Sequence, residues 1–237
     1  MILRRILRHF RKQEWTAIAI DFVIVVMGVF VGVQASNLNA ARAERVEEAR
    51  IIERLHAEFV ALRDQTQPRI GLIETYARRT GKLIDLIRAG GPPASDKEMR
   101  PLLDAVWSNS GSPQAPAGFL ELINSGSIAR LSDPGLRAAL TRYAQRNEVG
   151  SQLWSTMFPL FNDPRSVFRQ SVRFSTDLDK YVSADPQQII VGYDWEMLKQ
   201  GEAEFENIQS VQWQQYENAV RLLDAIDGVI AELEKGA

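Results

Sequence analysis

One carboxyl group in this chain lies where a charge is expensive. The run from Thr16 to Ala35 is apolar over twenty residues, interrupted by Asp21 and by Gln34. An acid inside a lipid-spanning segment is expected to pair with another helix, to reach water or to carry a proton. Asp21 is therefore the residue whose chemistry the surrounding sequence has to explain.

Small residues share a helical face with this acid. At about 100° per residue, Gly28, Gly32 and Ala35 fall on the same side as Asp21. Gly28 and Gly32 form a GxxxG pair, and Ser36 extends the spacing by four residues. Small residues let two helix backbones approach closely, and a carboxyl group can hydrogen-bond across such a contact. We predict a membrane-helix interface made of these five residues; the alternative is a plain anchor whose Asp21 is protonated or reaches water.

Motifs of catalysis are missing elsewhere in the chain. HExxH, GxSxG and P-loop patterns do not occur. The absence of cysteine excludes thiolate nucleophiles, thiolate zinc sites and iron–sulfur clusters. A serine triad beyond the membrane would depend on His56, which lies beside Leu55 in a helical stretch. Some carboxylates have a spacing that could bind a cation or do acid–base chemistry, but such acidic runs are far more typical of solvated helix faces: Asp177, Asp179, Glu202, Glu204 and Glu206. We predict no enzyme, no metal and no cofactor.

The apolar run is long enough to cross a bilayer. Twenty residues at about 1.5 Å each span roughly 30 Å. Eleven Ile, Val and Phe residues contribute about −5 kcal/mol, against about +3 kcal/mol for the acid, so insertion is favoured. A cleaved signal peptide is the alternative, because Val33-Gln34-Ala35 suits cleavage, but such peptides have apolar cores of roughly 7–15 residues. We predict an uncleaved transmembrane helix over residues 15–36.

Charge around the run sets its orientation. Five basic residues precede it, whereas arginines and glutamates alternate after it. This bias places the N-terminus in the cytoplasm and the rest of the chain outside. Apolar residues at helical spacing among the leader's arginines predict a basic amphipathic helix over residues 1–14, on the inner membrane face. Residues 37–50, rich in Ala, Arg and Glu, predict a solvated helical stalk.

Helical periodicity dominates the exported domain, residues 51–237. An apolar stripe at Ile52, Leu55, Phe59 and Leu62 resumes after Pro68 and ends at Gly90-Gly91-Pro92-Pro93. A second long helix is predicted over about Glu204–Glu234. The predicted fold class is all-α, with the N-terminal transmembrane helix continuing into an extracytoplasmic helical bundle whose long first and last helices pair.

Local signals divide the rest of the bundle. Ser95 and Glu98 form a capping-box pattern, and three Asp-Pro pairs suit helix starts: Asp133-Pro134, Asp163-Pro164 and Asp185-Pro186. A short strand is predicted over Gln188–Val191. Aromatic residues at helical spacing, such as Trp154 and Phe158, are more typical of a core than of a ligand pocket.

The segment Asn124-Ser125-Gly126-Ser127 joins two helical stretches. Gly126 suits a left-handed residue after a helix, and Ser127 suits local hydrogen bonding. We also regard Asn124, Ser125, Gly126 and Ser127 as a candidate interaction loop. A net charge of −2 gives no overall basicity, so no nucleic-acid partner is expected.

Two stretches resemble an uncharacterised bacterial family of single-pass membrane proteins. The first is the run from Asp21 to Asn39, similar to that family's V-x-x-G membrane helix and Q-x-x-N-x-N exit, with Leu38 in place of a Trp. The second follows the pattern Phe119, Leu122, Ser125-Gly126, Ile128, Leu131-Ser132-Asp133, Leu136-Arg137 and Leu140 to Tyr143. The resemblance implies a bacterial inner-membrane protein with a periplasmic helical domain, and it implies no activity.

Three hypotheses of function follow. The leading one is a non-enzymatic, membrane-anchored periplasmic module for protein interaction or assembly. It would associate with itself or with another membrane protein through the transmembrane helix. A second is a proton-motive subunit that uses Asp21. A third is a ligand-sensing bundle that acts through a membrane partner.

Overall fold

The computed structural model describes residues 14–93, 95–108, 111, 113–182 and 185–235. Apart from Glu14, the predicted leader lies outside these residues. The chain divides into two units, Met1–Ile52 and Glu53–Ala237. The described residues are 84% helical and include one two-stranded sheet, which confirms the predicted all-α class. The α-helices are α1 (Glu14–Ala89), α2 (Asp96–Trp107), α3 (Ala117–Asn124), α4 (Pro134–Asn162), α5 (Val167–Ser171), α6 (Leu178–Val182), α7 (Pro186–Ile189), α8 (Trp195–Leu198) and α9 (Glu202–Lys235).

Helix α1 carries the predicted apolar stripe. In the second unit its side chains at Leu55, Phe59 and Leu62 are buried, and burial continues at Ile73, Ala77, Ile84 and Ile87. Pro68 lies inside the helix and does not end it. The helix stops at Ala89, where Gly90 takes a positive φ of 81°. The predicted end at the Gly-Gly-Pro-Pro segment is therefore confirmed.

Helix α9 lies antiparallel to this part of α1. Arg88 binds Glu202 and Glu206 at one end of the pair, and His56 lies 3.5 Å from Glu234 at the other. Between these ends, Gln209 donates a hydrogen bond of 3.1 Å to the carbonyl of Ala77. The predicted pairing of the long first and last helices is confirmed.

The buried side chains of the second unit include two groups. One is aromatic: Phe59 of α1, Phe119 of α3 and Tyr143 of α4 meet edge to face, with ring centroids 4.8–6.2 Å apart. The other joins the far end of α1 to α2, α5, the sheet and the start of α9. Among its members are Leu83, Met99, Leu103, Phe168, Ile190 and Phe205. The buried aromatic rings hold α3 and α4 against α1.

The sheet and one helix start differ from the predictions. Strands β1 (Val172–Phe174) and β2 (Ile190–Tyr193) pair antiparallel, with Val172 opposite Tyr193. The predicted strand was placed too early, because Asp185 caps helix α7 up to Ile189 through the amide of Gln187. Asp133 likewise caps α4. Asp163 does not begin a helix: it follows the end of α4 and binds Arg165 in a turn, and Ser166 caps the next helix instead.

Candidate functional site

The apolar part of α1 in the first unit is uncovered. From Ile20 to Leu38, the large apolar side chains that are exposed have exposed fractions of 48–69%. By length and hydropathy this helix is one candidate membrane span, close to the N-terminus. Side chains of this kind are normally buried in a protein or in lipid, because exposed apolar area is unfavourable in water.

The predicted small-residue face is present on this helix and is open. Residues 21–36 are all helical, so Asp21, Gly28, Gly32, Ala35 and Ser36 share one side. A methyl group built on Gly28 or Gly32 would meet no atom within 4 Å. A second helix could therefore approach this face closely, and the carboxyl of Asp21 would lie at its edge.

The predicted interaction loop is a compact turn whose polar groups bond within it. Gly126 adopts the left-handed conformation with φ 68°, and its amide donates to the carbonyl of Ile123 at 3.1 Å. The hydroxyl of Ser125 lies 2.7 Å from the carbonyl of Glu121 and 2.8 Å from the Ser127 hydroxyl. The predicted left-handed glycine is confirmed. Asn124, Ser125 and Gly126 are exposed, so the turn is accessible to a partner.

An open groove of about 590 Å³ borders this turn. Its walls come from α3, the turn, the 3-10 segment Ser127–Arg130 and the first turns of α4. Apolar atoms of Ile123, Ile128 and Ala129 line it together with Arg137 and Thr141. Arg137 is held in place because one of its guanidinium nitrogens donates to the main-chain carbonyls of Leu131 and Ser132. We call this the Arg137 groove.

A small cavity lies in the described part of the second unit. A cavity of about 40 Å³ lies among Thr66, Arg69, Leu153 and Trp154, which is space for a few water molecules. Arg69 closes one side by donating a hydrogen bond of 2.7 Å to the carbonyl of Gly111. A metabolite would not fit in this cavity, so it gives no support to the ligand-sensing hypothesis.

The remaining candidate residues have structural partners. His56 is 40% exposed and lies near Glu234. Glu204 accepts hydrogen bonds from the amides of Val167 and Phe168, 2.8 and 3.2 Å away, and so satisfies the first turn of α5. Asp177 accepts from the amide of Asp179 at 3.1 Å. Among the described residues, no group of three or more His, Asp or Glu side chains could hold a metal ion.

Two shifted groups lie in the packed part of the second unit. Burial raises the pKa of the Tyr143 phenol within the aromatic cluster. Burial also raises the pKa of Asp104, against the smaller opposing effects of the Ser108 hydroxyl and Arg79. Neither group lines the Arg137 groove.

Sequence analysis did not find the Arg137 groove. Gly126 of the predicted interaction loop is the one lining residue that was a predicted site residue; the others lie on α3, the 3-10 segment and α4. The signal that could have pointed to it is an arginine in the first turn of a helix, where the macrodipole disfavours a cation and another reason for its presence is needed.

Comparison with protein-family models, curated proteins and solved structures finds no match for this chain.

Proposed function

We propose that this protein is a non-enzymatic, membrane-anchored helical module that binds a partner protein or a second copy of itself. The observation that carries the proposal is the uncovered apolar stretch of α1, with Asp21 and two glycines on one open face. In this proposal the N-terminus is cytoplasmic and the second unit lies in the periplasm of a bacterial cell, attached to the inner membrane.

The energetics favour membrane insertion with helix association. Apolar side chains along the span contribute about −5 kcal/mol to insertion and one off-centre acid offsets at most about 3 kcal/mol. The acid remains costly in the bilayer unless it finds a hydrogen-bonding partner. A neighbouring helix on the glycine face supplies that partner and close backbone packing at once. Association then removes the largest unfavourable term that the anchor carries.

Disulfide crosslinking in membranes tests the proposal, because the chain contains no cysteine and has no background. Val25 lies on the glycine face and Val23 on the opposite one; they are 64% and 56% exposed. We expect Val25→Cys to form crosslinked dimers or a crosslink to a single-cysteine partner at least fivefold more efficiently than Val23→Cys. Gly32→Ile should abolish the difference. Equal crosslinking at both positions, or none at either, would contradict association through this face.

Substitution of Asp21 separates association from proton movement, the alternative that the position of this acid in the span favours. In an interface, Asn can still hydrogen-bond, so Asp21→Asn should keep most of the crosslinking while Asp21→Ala loses about 3- to 30-fold. In a proton-motive subunit, Asp21→Asn should abolish the cellular function of the protein as completely as Asp21→Ala, because neither side chain titrates.

Orientation is tested by a periplasm-active reporter fused after Lys235. Lack of activity of that reporter, with full activity of a cytosol-active reporter fused at the same position, would refute the proposed orientation, and release of the chain by cleavage near Ala35 would refute the anchored arrangement.

A further inference from the structure

We propose that the Arg137 groove binds the C-terminal end of a partner polypeptide whose last side chain is apolar. This inference deepens the proposed function, since it names the chemistry of the partner that the second unit recognises. It concerns a surface remote in sequence from the glycine face, so the two can fail separately.

The walls of the groove are fixed before anything binds. Gly126 turns the chain sharply in the left-handed conformation, and the 3-10 segment follows it directly. Phe119 and Leu122 of α3 are buried, and Leu136 and Leu140 of α4 are buried opposite them. Ile123 of α3 remains 42% exposed. A site with fixed walls loses little conformational entropy on binding, which favours a short segment.

Charge in the groove points to a carboxylate. Arg137 is the only charged side chain that lines it in the described chain. The two nearest acids in the sequence are used elsewhere: Glu121 binds Arg54 at 2.9 Å, and Asp133 accepts from the amide of Gly135 at 2.7 Å. Arg137 itself bonds to carbonyl oxygens, which leave its positive charge without a carboxylate among the described residues.

An arginine beside an apolar wall matches a chain terminus. At a polypeptide C-terminus, the carboxylate and the last side chain are attached to the same Cα. In Asp and Glu, the carboxylate is itself the end of the side chain, so no apolar side chain shares that Cα. Guanidinium pairs with such a carboxylate through two parallel hydrogen bonds. The last side chain would then pack on Ile123 and Ile128. Thr141 lines the same surface, with its hydroxyl donating to the main-chain carbonyl of Arg137 at 2.8 Å. The groove is open to solvent and has a volume of about 590 Å³.

Fluorescence anisotropy with the full chain in lipid nanodiscs tests this assignment. The probes are two fluorescein-labelled tetrapeptide pools that end in Leu, one with a free carboxylate and one with a carboxamide. We expect the acid pool to bind at least tenfold more tightly than the amide pool. Equal binding of the two pools, or no binding of the acid pool, would overturn the proposal.

Matched variants locate the binding. Arg137→Gln should weaken binding of the acid pool by about 10- to 100-fold, whereas Arg142→Gln on the same helix should leave it unchanged. Because Arg137→Gln also removes hydrogen bonds to the main chain, Ile123→Ser provides a second test: it should weaken binding at least threefold. Its control is Leu120→Ser, since Leu120 is 45% exposed on α3 and does not line the groove.

Equal effects of each variant and its control would refute the assignment of the groove. Displacement of the acid pool by octanoate at a lower concentration than by unlabelled acid peptides would also overturn it, because the occupant would then be a fatty acid. The crosslinking of Val25→Cys reads the glycine face alone. Loss of peptide binding with crosslinking intact would leave the proposed function standing.

Discussion

Replacing Phe59 by alanine tests the packing that builds the Arg137 groove. Phe59 has an exposed fraction of 0% and packs against two other aromatic rings. Its ring centroid is 4.9 Å from that of Tyr143 and 6.2 Å from that of Phe119, both edge to face. These contacts join α1 to α3 and α4, the two helices that form the groove.

The expected loss follows from the burial of this side chain. A fully buried Phe→Ala change costs about 3–5 kcal/mol, from lost apolar transfer and from the cavity left behind. Edge-to-face pairs contribute about 0.5–1.5 kcal/mol beyond area burial, so a value of about 4 kcal/mol is expected. For a unit of this size, each kcal/mol shifts Tm by about 2–4 °C. Phe59→Ala should therefore lower Tm by about 8–16 °C.

Thermal unfolding of the full chain, followed by circular dichroism at 222 nm in detergent, measures this shift. Leu120→Ala is the matched control, because that side chain is 45% exposed and its removal should cost under about 0.5 kcal/mol. A fall of less than about 3 °C for Phe59→Ala, or a fall equal to that of the control, would refute the packing of α3 and α4 on α1.

Two further substitutions test single positions. Gly126→Ala should lower the free energy of unfolding by about 1–2 kcal/mol, because its φ of 68° disfavours a side chain although no atom lies within 4 Å. Gly71→Ala, inside α1 with equal space, should raise the free energy of unfolding by about 0.5–1 kcal/mol. A urea titration in which both variants change stability in the same direction would contradict this pair of predictions. Asp104→Asn should raise Tm near pH 8, because burial raises the pKa of Asp104 and the folded state disfavours its carboxylate. The gain should disappear as the pH falls towards 3.8, the ordinary pKa of this group; a wild-type chain more stable than the variant at pH 8 would contradict the sign.

The elements of the fold that the sequence predicts correctly are those set by residues close together in the chain. Helix α1 is one example: its buried stripe from Leu55 to Ile87 and its end at Gly90 depend on residues within a few helical turns. Both can therefore be predicted from the sequence alone. The last helix was predicted over about Glu204–Glu234 and spans Glu202–Lys235. Gly126 was assigned correctly for the same reason, since a left-handed position after a helix favours glycine.

The predictions were wrong or missing where contacts between residues far apart in the sequence determine the structure. Asp163-Pro164 has the same local pattern as Asp133-Pro134, yet α4 continues through Pro159 and ends just before Asp163. Glu204 satisfies the amides at the start of α5 across a separation of 37 residues, which no local pattern encodes. The Arg137 groove needs α3 and α4 packed on α1 before it exists. The residues of the glycine face all belong to one helix, so their shared side follows from helical spacing alone.

Two glutamine amides of α9 limit how the bundle can move. Gln209 donates to the carbonyl of Ala77 in α1, and Gln212 donates to the carbonyl of Ala105 in α2 at 2.8 Å. A displacement of α9 along its axis by one turn, about 5.4 Å, would break both bonds and leave the buried amide of Gln212 without its acceptor. A piston-like stroke of α9 against its neighbours is therefore expensive. We therefore expect any mechanical signal in these helices to move α1, α2 and α9 together, as a tilt or a rotation.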